Sequence, residues 1–387
     1  MEPFDLYSVE IDADPFPAYE RLREQYPCYW SESGKFWILS RYDDIVKAGR
    51  DWQTFSSANG NMIDEIPGRA GATLGTTDPP RHDRLRKLSQ AAFMRRNLTH
   101  AAAQTVEIAD AALVRILERG TFDFVEDFSS QITVGLLFNT LGLPPRDHNE
   151  IRRKVVLAIS TDKSTKGRAP IHNEAFGELG DLIASEVAIR RKHPSDDLIT
   201  HLAEAEIDGD HLSDREVIMT TATFVMAGVE SLSSFMSMLA LNLHDFPDVC
   251  RRVAADPSLM LPAIEETLRY NTSAQRFKRT IAHETELHGQ TLRAGDKVVL
   301  AYGSGNRDWR KFENPDAFDL DRRPREHLGF GTGTHYCLGH QMARLVSEAA
   351  MNRFLTQVLD FHLTVPAVAW NSSSNFRSPV ALPFALE

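Results

Sequence analysis

A glycine-rich segment with a single cysteine, residues 327–344 (HLGFGTGTHYCLGHQMAR), limits the fold of this chain more than any other feature. The cysteine is Cys337, and four glycines surround it: Gly329, Gly331, Gly333 and Gly339. Because glycine has no Cβ and tolerates positive φ, this backbone can lie against a large planar ligand and present a thiolate to it. A helical pattern resumes after Cys337, so we expect the sulfur at a helix N-terminus, where the helix dipole stabilises an anion.

Three other interpretations of Cys337 compete with this one. A free cysteine is usually a buried structural residue beside a turn. His335 and His340 are near enough in sequence for a zinc site, but a structural zinc ion usually has four ligands, and no second Cys/His group accompanies these residues. A nucleotide-binding loop is disfavoured because the glycines are spaced GxGxG, not GxGxxG, and no strand is predicted before them.

The segment resembles the haem-binding signature of the cytochrome P450 family at positions of fixed spacing: Phe330, Gly331, Gly333, His335, Cys337, Gly339 and Ala343. The resemblance implies that Cys337 is the axial sulfur ligand to the iron of haem b. A thiolate ligand donates electron density that favours cleavage of the O–O bond. The resemblance also implies that the haem is contacted by Phe330, Gly331, His335, Gly339 and Ala343.

A second resemblance concerns Glu266 and Arg269, an i, i+3 pair in a predicted helix. Such pairs are common on solvated helix faces and carry little information alone. In the family it is the ExxR pair, completed by an arginine of the later meander. Residues 318–322 (FDLDR) match that meander. The resemblance therefore implies that Arg322 is the third member of a structural group.

Residues 78–86 (DPPRHDRLR) are similar to the start of the helix that lies under the haem in this family. Haem carries two propionates, which require cationic or hydrogen-bonding groups around them. By resemblance, these groups are His82, Arg86, Arg279 and His335.

A long helix is predicted from the capping box of Ser213 and Glu216 to about Asn242. Residues 227–231 (AGVES) in this helix resemble the A-G-x-acid-alcohol segment of the family. Gly228 beside a polar pair is expected to allow a local distortion that opens a groove for dioxygen and water.

The resemblance implies that Ala227 and Gly228 lie at the haem and that Glu230 and Ser231 deliver protons to dioxygen. The alternative is a buried Glu230 that is paired elsewhere and a Ser231 bonded to its own helical turn. The family commonly has threonine in place of Ser231, so the hydroxyl is kept here while its rotamer is less fixed.

The fold implied by the resemblance is mainly α with a small β-rich region, the cytochrome P450 fold. The haem is expected between the long central helix and the helix that follows the cysteine loop. No low-complexity linker divides the chain, so residues 1–387 are interpreted as a single catalytic domain. Its β-rich parts are expected mainly near residues 30–60, 276–303 and 360–387.

Composition limits the partners and the location. A net charge of −11 disfavours a nucleic-acid partner, because phosphate recognition needs a basic face. No secretory signal is visible and the three cysteines form no disulfide pattern, so we expect a cytoplasmic protein. The most apolar stretch, residues 217–229, is shorter than the roughly 20 residues that span a bilayer. It is therefore predicted to be a buried helix, and no membrane partner is expected.

The function implied by the resemblance is insertion of one atom of O2 into a small, largely apolar organic molecule, by hydroxylation or oxidative dealkylation. Electrons are expected from a separate ferredoxin or flavodoxin with its NAD(P)H-dependent reductase. The basic stretch at residues 81–96 is a candidate docking patch for such an acidic partner, or else a solvated helix face. A peroxide-driven peroxygenase and a non-catalytic haem sensor are the alternatives, and neither requires the Glu230 relay.

The walls of the substrate pocket are expected, by resemblance, from several separate segments: residues 57–77, residues 161–170, the helix before Gly228, residues 273–277 and the turn around Phe376. Phe277 and Phe376 suggest an apolar pocket. Arg276 and Arg377 could meet a substrate carboxylate, with surface exposure as the alternative.

Overall fold

The computed structural model describes residues 4–95 and 98–386, and the side chains of residues 4–90 and 100–386. Helices form about half of this part of the chain. They are α1 (Val9–Ala13), α2 (Phe16–Gln25), α3 (Tyr42–Arg50), α4 (Arg81–Arg95), α5 (Leu98–Arg119), α6 (Ser130–Leu141), α7 (His148–Ile159), α8 (Pro170–Lys192), α9 (Leu198–Ala203), α10 (Asp214–Asp245), α11 (Pro247–Ala255), α12 (Met260–Tyr270), α13 (Tyr302–Gly305) and α14 (His340–Gln357).

The strands are short. They are β1 (Cys28–Ser31), β2 (Phe36–Leu39), β3 (Phe55–Ser56), β4 (Thr121–Asp123), β5 (Glu206–Ile207), β6 (Asp210–His211), β7 (Phe277–Ile281), β8 (Thr285–Leu287), β9 (Gln290–Leu292), β10 (Lys297–Leu300), β11 (Phe361–Leu363) and β12 (Pro383–Leu386). The largest sheet has the order β1-β2-β10-β7-β3, and a smaller one has the order β11-β12-β4. Most strands lie in the three predicted β-rich regions, whereas β4, β5 and β6 were not predicted.

Helix α10 begins at the predicted capping box. The Ser213 side chain accepts from the N–H of Glu216, and the N–H of Ser213 donates to Glu216 Oε2 at 3.0 Å. The helix continues to Asp245, slightly beyond the predicted end. It is α-helical without interruption, so the distortion expected at Gly228 does not break it.

The sequence analysis argued against a membrane span because the apolar stretch was too short, and that argument was wrong. Helix α10 has 32 residues and contains an 18-residue window of mean hydropathy 1.5, which is long and apolar enough to cross a bilayer. However, 72% of that window is buried inside the protein. The prediction of a buried core helix is confirmed by this burial rather than by the length of the apolar stretch.

Two hydrophobic clusters meet along α10. One packs its C-terminal half against α5, α12 and α14, with Phe354 at the centre of a group of aromatic rings. The other packs its N-terminal half against helices α6 to α9. Helix α10 is therefore shared by both halves of the core. The segment that contains Cys337 leads directly into α14, on the side of the first cluster.

The two predicted loops contact each other. Residues 57–77 contain only one short 3₁₀ turn, Leu74–Thr76, and residues 161–169 connect α7 to α8. The Thr161 hydroxyl donates to Asp64 Oδ2 at 2.7 Å, which joins the loops directly.

Candidate active site

The cysteine loop is held by its own backbone. Gly331 and Gly333 have φ values of +71° and +68°, a left-handed conformation that other residues adopt only with strain. The N–H of Cys337 donates to the carbonyl of Phe330 at 3.0 Å. Helix α14 begins at His340, three residues after Cys337. The sulfur is still near the helix N-terminus, because the backbone N–H of Gly339 bonds to it.

Two of the loop glycines are required by close contacts with other elements. A Cβ on Gly329 would lie 2.7 Å from the carbonyl oxygen of Leu268 in α12, and a Cβ on Gly333 would clash with the carbonyl of Gly49 in α3. Gly339 differs, because a Cβ there would meet no protein atom within 4 Å. The protein itself does not require a glycine at this position, whereas a flat group lying over the loop does.

The surroundings of Cys337 act in opposite directions on the pKa of its thiol. Desolvation raises the pKa of its thiol, while the N–H of Gly339 and the positive charges of Arg86 and Arg344 act to lower it. A bound metal cation removes the proton of a coordinating thiol outright. The local groups therefore favour a thiolate most when a cation is bound to the sulfur.

The four residues predicted to meet the propionates come together. The rings of His82 and His335 lie 4.7 Å apart, and Arg86 donates to the carbonyl of Tyr336 at 3.0 Å. Burial, together with the nearby Arg279 and His82, lowers the pKa of His335 to about 4. The structure thus brings the four side chains together, and their role as partners of the propionates stays a prediction.

Two nitrogens of this group have no hydrogen-bond partner among the residues that the structure describes. They are Nε2 of His82 and Nε2 of His335, and both are buried. Asp78 Oδ1 is 4.0 Å from Nε2 of His335, which is too far for a hydrogen bond. Because buried donors normally have acceptors, these nitrogens and the adjacent Arg86 and Arg279 fit a ligand that carries carboxylates. Haem, with its two propionates, is such a ligand.

Glu266, Arg269 and Arg322 form the predicted ion-pair network. Arg269 donates to Glu266 through Nε at 2.9 Å and through Nη2 at 2.6 Å, and both side chains are fully buried. Arg322 Nε lies 3.2 Å from the same carboxylate. Arg269 also donates to the carbonyls of Asn306, Pro315 and Ala317. The network therefore ties α12 to the later irregular segment.

Glu230 and Ser231 have partners that the sequence did not identify. Glu230 is buried, accepts from the Ser234 hydroxyl at 2.8 Å and lies 3.3 Å from Arg152 Nε of α7. Its Oε2 has no hydrogen bond in the described part of the chain. The Ser231 hydroxyl donates to the carbonyl of Ala227, one turn earlier. This is the arrangement that the alternative interpretation described, and the proton-delivery role stays a prediction.

Sequence reasoning missed a second charged network, which joins α12 to α14. Arg344 binds Glu265 through two nitrogens, at 2.5 and 3.1 Å, and His327 Nε2 lies 3.0 Å from the same carboxylate. The N–H of Gly329 donates to His327 Nδ1 at 3.1 Å, so the histidine hydrogen is on Nε2 and points at Glu265. We call Glu265, His327 and Arg344 the Glu265 network. Two residues in the sequence could have indicated this network, because neither had an assigned role. They are Glu265, the acid next to Glu266, and Arg344, the arginine after Ala343.

The Glu265 network predicts a pH dependence of stability. Despite the opposing effect of burial, hydrogen bonds from His327 and Arg344 lower the pKa of Glu265 to about 2, from 4.5. A carboxyl with a lowered folded-state pKa stabilises the fold above its unfolded pKa and loses this contribution as pH falls. From pH 7 to pH 4, the loss is about 1 kcal/mol. We expect the free energy of unfolding of Glu265→Gln to fall by about 1 kcal/mol less than that of the parent between pH 7 and pH 4. Urea titration of both proteins at both pH values measures this difference.

An apolar cluster lies where the segments of the predicted pocket wall meet. Met62, Ile66, Ile159 and Met226 are buried against each other, with Phe376 packed on them. They come from the first loop, the end of α7, α10 and the C-terminal turn. The edge of the Phe277 ring meets Phe376, with centroids 5.7 Å apart.

Comparison with known proteins agrees with this geometry. The family model described as Cytochrome P450 matches residues 169–369, which is more than half of the chain. A Mycobacterium tuberculosis protein named putative cytochrome P450 123 is 31% identical over 388 residues, covering 99% of this chain and 96% of that protein. The chain belongs to the cytochrome P450 family.

Two further relatives extend the comparison of this P450. Nocardicin C N-oxygenase of Nocardia uniformis subsp. tsuyamanensis is 34% identical over 395 residues, with 96% of each chain covered. The structure of cytochrome P450 CYP109Q5 from Chondromyces apiculatus superposes with a TM-score of 0.90 at 26% identity and covers 99% of this chain. The predicted P450 fold is confirmed, and the P450 is an oxidoreductase and monooxygenase whose cofactor is haem b.

Proposed function

We propose that this P450 uses Cys337 as the axial ligand of haem b to hydroxylate or oxidatively dealkylate a small, largely apolar organic molecule. The observation that carries the proposal is the cysteine loop, which places a buried sulfur near a helix start, together with the buried His82 and His335 nitrogens that have no hydrogen-bond partner among the described residues. When bound, thiolate-ligated haem supplies the binding of dioxygen and the cleavage of its O–O bond. Phe330, Gly331, Gly339, Ala343, Ala227 and Gly228 would line the two haem faces.

The propionates would be held by His82, Arg86, Arg279 and His335. The two histidines would donate from the nitrogens that lack partners, and the arginines would offset the negative charge. The two arginines are held by backbone carbonyls. Arg86 bonds to the Tyr336 carbonyl and Arg279 to the Lys278 carbonyl, so little rotamer freedom is lost when the cofactor binds.

An apolar substrate is favoured by the cluster of Met62, Ile66, Ile159 and Met226, because apolar pocket walls stabilise apolar ligands by excluding water. Arg377 is a poor partner for a substrate carboxylate. It donates to Asn271 and to the Asp12 and Ala13 carbonyls and stacks on Trp370. Arg276 is fully buried and donates to the Ser374 carbonyl. Neither arginine lies on the surface, so the exposed alternative for both was wrong.

Proton delivery would use the hydroxyl of Ser231 and the carboxyl of Glu230. The Ser231 hydroxyl donates to Ala227 and keeps its lone pairs free to accept from a water. The Oε2 atom of Glu230 has no hydrogen bond within the described residues but lies 3.3 Å from Arg152 Nε, so this ion pair would have to open before Glu230 accepts a proton from outside. Arg152 and Ser234 hold this carboxylate in place.

The relay predicts uncoupling when the Ser231 hydroxyl is removed. Ser231→Ala should bind substrate nearly as the parent does, because the loss acts only after dioxygen binds. Since general acid catalysis contributes roughly 10²–10⁴ in rate, product formation should fall while reductant is still consumed. We expect more hydrogen peroxide per product in Ser231→Ala. Ser231→Thr should couple at least as well as the parent, because β-branching fixes the rotamer.

The measurement is product and peroxide formed per reductant oxidised in the three proteins. Equal coupling in Ser231→Ala and the parent would mean that Ser231 only fills space, as the alternative interpretation holds.

Electrons would come from a ferredoxin or flavodoxin with its NAD(P)H-dependent reductase. The candidate docking patch at residues 81–96 is smaller than its charge suggests, because Arg84 is paired with Asp210 and Glu216. Arg81 is exposed but also lies 3.7 Å from Glu216, whereas Lys87 is exposed, and the side chains of Arg95 and Arg96 lie outside the described residues. We therefore propose Lys87 as the described centre of this patch, in a protein that acts in the cytoplasm.

The proposal is tested by a spectral screen of the purified holoprotein. Apolar compounds of increasing size should shift the ferric Soret band to the high-spin position when they displace water from the haem. Turnover of a hit with a ferredoxin system should give a product that carries one atom of labelled dioxygen. A protein that turns over with peroxide but never with a ferredoxin or flavodoxin system would contradict the proposed electron supply.

A further inference from the structure

The Glu265 network lies directly behind the cysteine loop. Arg344 lies about one helical turn into α14, and its guanidinium lies 4.6 Å from the centroid of the Phe330 ring. Phe330 is the residue whose carbonyl accepts from the N–H of Cys337. Arg344 also donates to His340 Nδ1 at 2.9 Å. The network is thus attached to both ends of the segment that presents the sulfur.

Arg344 brings a positive charge toward this sulfur, and Glu265 offsets it. The two side chains are only 24% and 17% exposed, so solvent screens their charges weakly. A cation near a thiolate stabilises its negative charge and withdraws electron density from it. The two hydrogen bonds from Arg344 to Glu265 hold the negative charge of Glu265 on the side of Arg344 that faces α12.

We propose that Glu265 and Arg344 are positioning residues that set the reduction potential of the thiolate-bound haem through their balance of charge. This inference rests on the proposed ligation by Cys337. Neither residue touches the reacting atoms, and each acts through the loop that carries Cys337. The one-electron reduction of the iron adds negative charge at the site, so the potential depends on the charges held near it.

The proposal predicts shifts of opposite sign. Glu265→Gln keeps the size of the side chain and leaves the charge of Arg344 without compensation, so the ferric/ferrous potential should become more positive. Arg344→Gln leaves the charge of Glu265 without compensation, so the potential should become more negative. The double variant Glu265→Gln/Arg344→Gln should lie between the two single variants. A loosened loop would move the potential in the same direction in both single variants.

The matched control is Asp110→Asn. Asp110 of α5 pairs with Arg353, which is on the same helix as Arg344. Arg353 is nine residues beyond Arg344 and therefore about 13 Å further along the axis of α14. This change removes a carboxylate partner from an arginine of α14 without affecting the loop. Arg344→Lys is a second variant, because it keeps the charge and loses the paired geometry. It should stay near the parent potential.

The measurement is a spectroelectrochemical titration of each holoprotein at one pH, beside the spectrum of its reduced carbon-monoxide complex. If the parent lacks the thiolate-type band, the proposed ligation fails. If the parent has the band but Glu265→Gln and Arg344→Gln shift in the same direction, or no more than Asp110→Asn, the charge-balance inference is overturned. If Arg344→Gln does not retain haem, the other two variants test the inference. A positive shift of the potential in Glu265→Gln with no shift in Arg344→Lys would support the charge balance. A negative or absent shift in Glu265→Gln would overturn it.

Discussion

We expect Glu266→Ala to yield little soluble, haem-containing protein. Glu266 is completely buried and is the carboxylate shared by Arg269 and Arg322. Its removal leaves the guanidinium of Arg269, which is also completely buried, without a counter-charge. Breaking a buried ion pair in this way costs about 3–5 kcal/mol, a large share of the roughly 5–15 kcal/mol by which a protein is stable. The backbone N–H of Asp319 also loses its acceptor.

The yield of soluble protein and the ratio of haem to protein measure this effect. Glu178→Ala is the matched control, because Glu178 is 61% exposed in its pair with Lys154 and such pairs contribute about 0–1 kcal/mol. The control should be produced like the parent. A soluble, active Glu266→Ala with full haem content would show that the network is not required for folding.

The second large effect is expected from Cys337→His, which should lose substrate oxidation while retaining haem. A histidine replaces an anionic sulfur by a neutral nitrogen, which removes the electron donation that favours O–O cleavage. Retention of haem follows from His82, Arg86, Arg279 and His335, which do not depend on the sulfur. Product formation with a ferredoxin system should fall to the background without protein. An active Cys337→His variant would contradict the role of the thiolate.

The other two cysteines provide the control. Burial raises the pKa of Cys28 to about 12 and that of Cys250 to about 11, so neither is a thiolate at neutral pH. We expect Cys28→Ala and Cys250→Ala to keep the activity and spectrum of the parent. If either loses them while Cys337→His keeps them, the ligand has been assigned to the wrong cysteine.

Features encoded by neighbouring residues were predicted well from the sequence. The capping box of Ser213 and Glu216 predicted the start of α10, because both partners lie within one helical turn. The cysteine loop was recognisable because glycines at fixed spacing constrain one short stretch of backbone. The first residue of α14, His340, was not specified by the pattern, because a 3₁₀ turn at Gly333–His335 and a turn at residues 338–339 precede the helix. Periodicity alone does not distinguish such a stretch from a first helical turn.

Contacts between distant segments could not be predicted from local pattern. Glu230 is paired with Arg152, which is on another helix, and Glu265 with Arg344. In the sequence, Arg152, Glu265 and Arg344 look like ordinary charged residues of amphipathic helices, and the partner of Glu230 could not be named. Only the packing of α7 on α10 and of α12 on α14 removes them from water and so makes the pairing necessary. The membrane argument failed for a related reason, since tertiary burial, not length, distinguishes a core helix from a membrane span.

The most direct test of the account is the absorption spectrum of the reduced carbon-monoxide complex of the parent protein beside that of Cys337→His. If Cys337 is the thiolate ligand, the parent should show the Soret band at the long wavelength typical of thiolate ligation. Cys337→His should bind haem in the same ratio and show the band at the shorter wavelength of a neutral ligand. A parent protein with only the short-wavelength band, or a Cys337→His variant that keeps the long-wavelength band, would contradict the account.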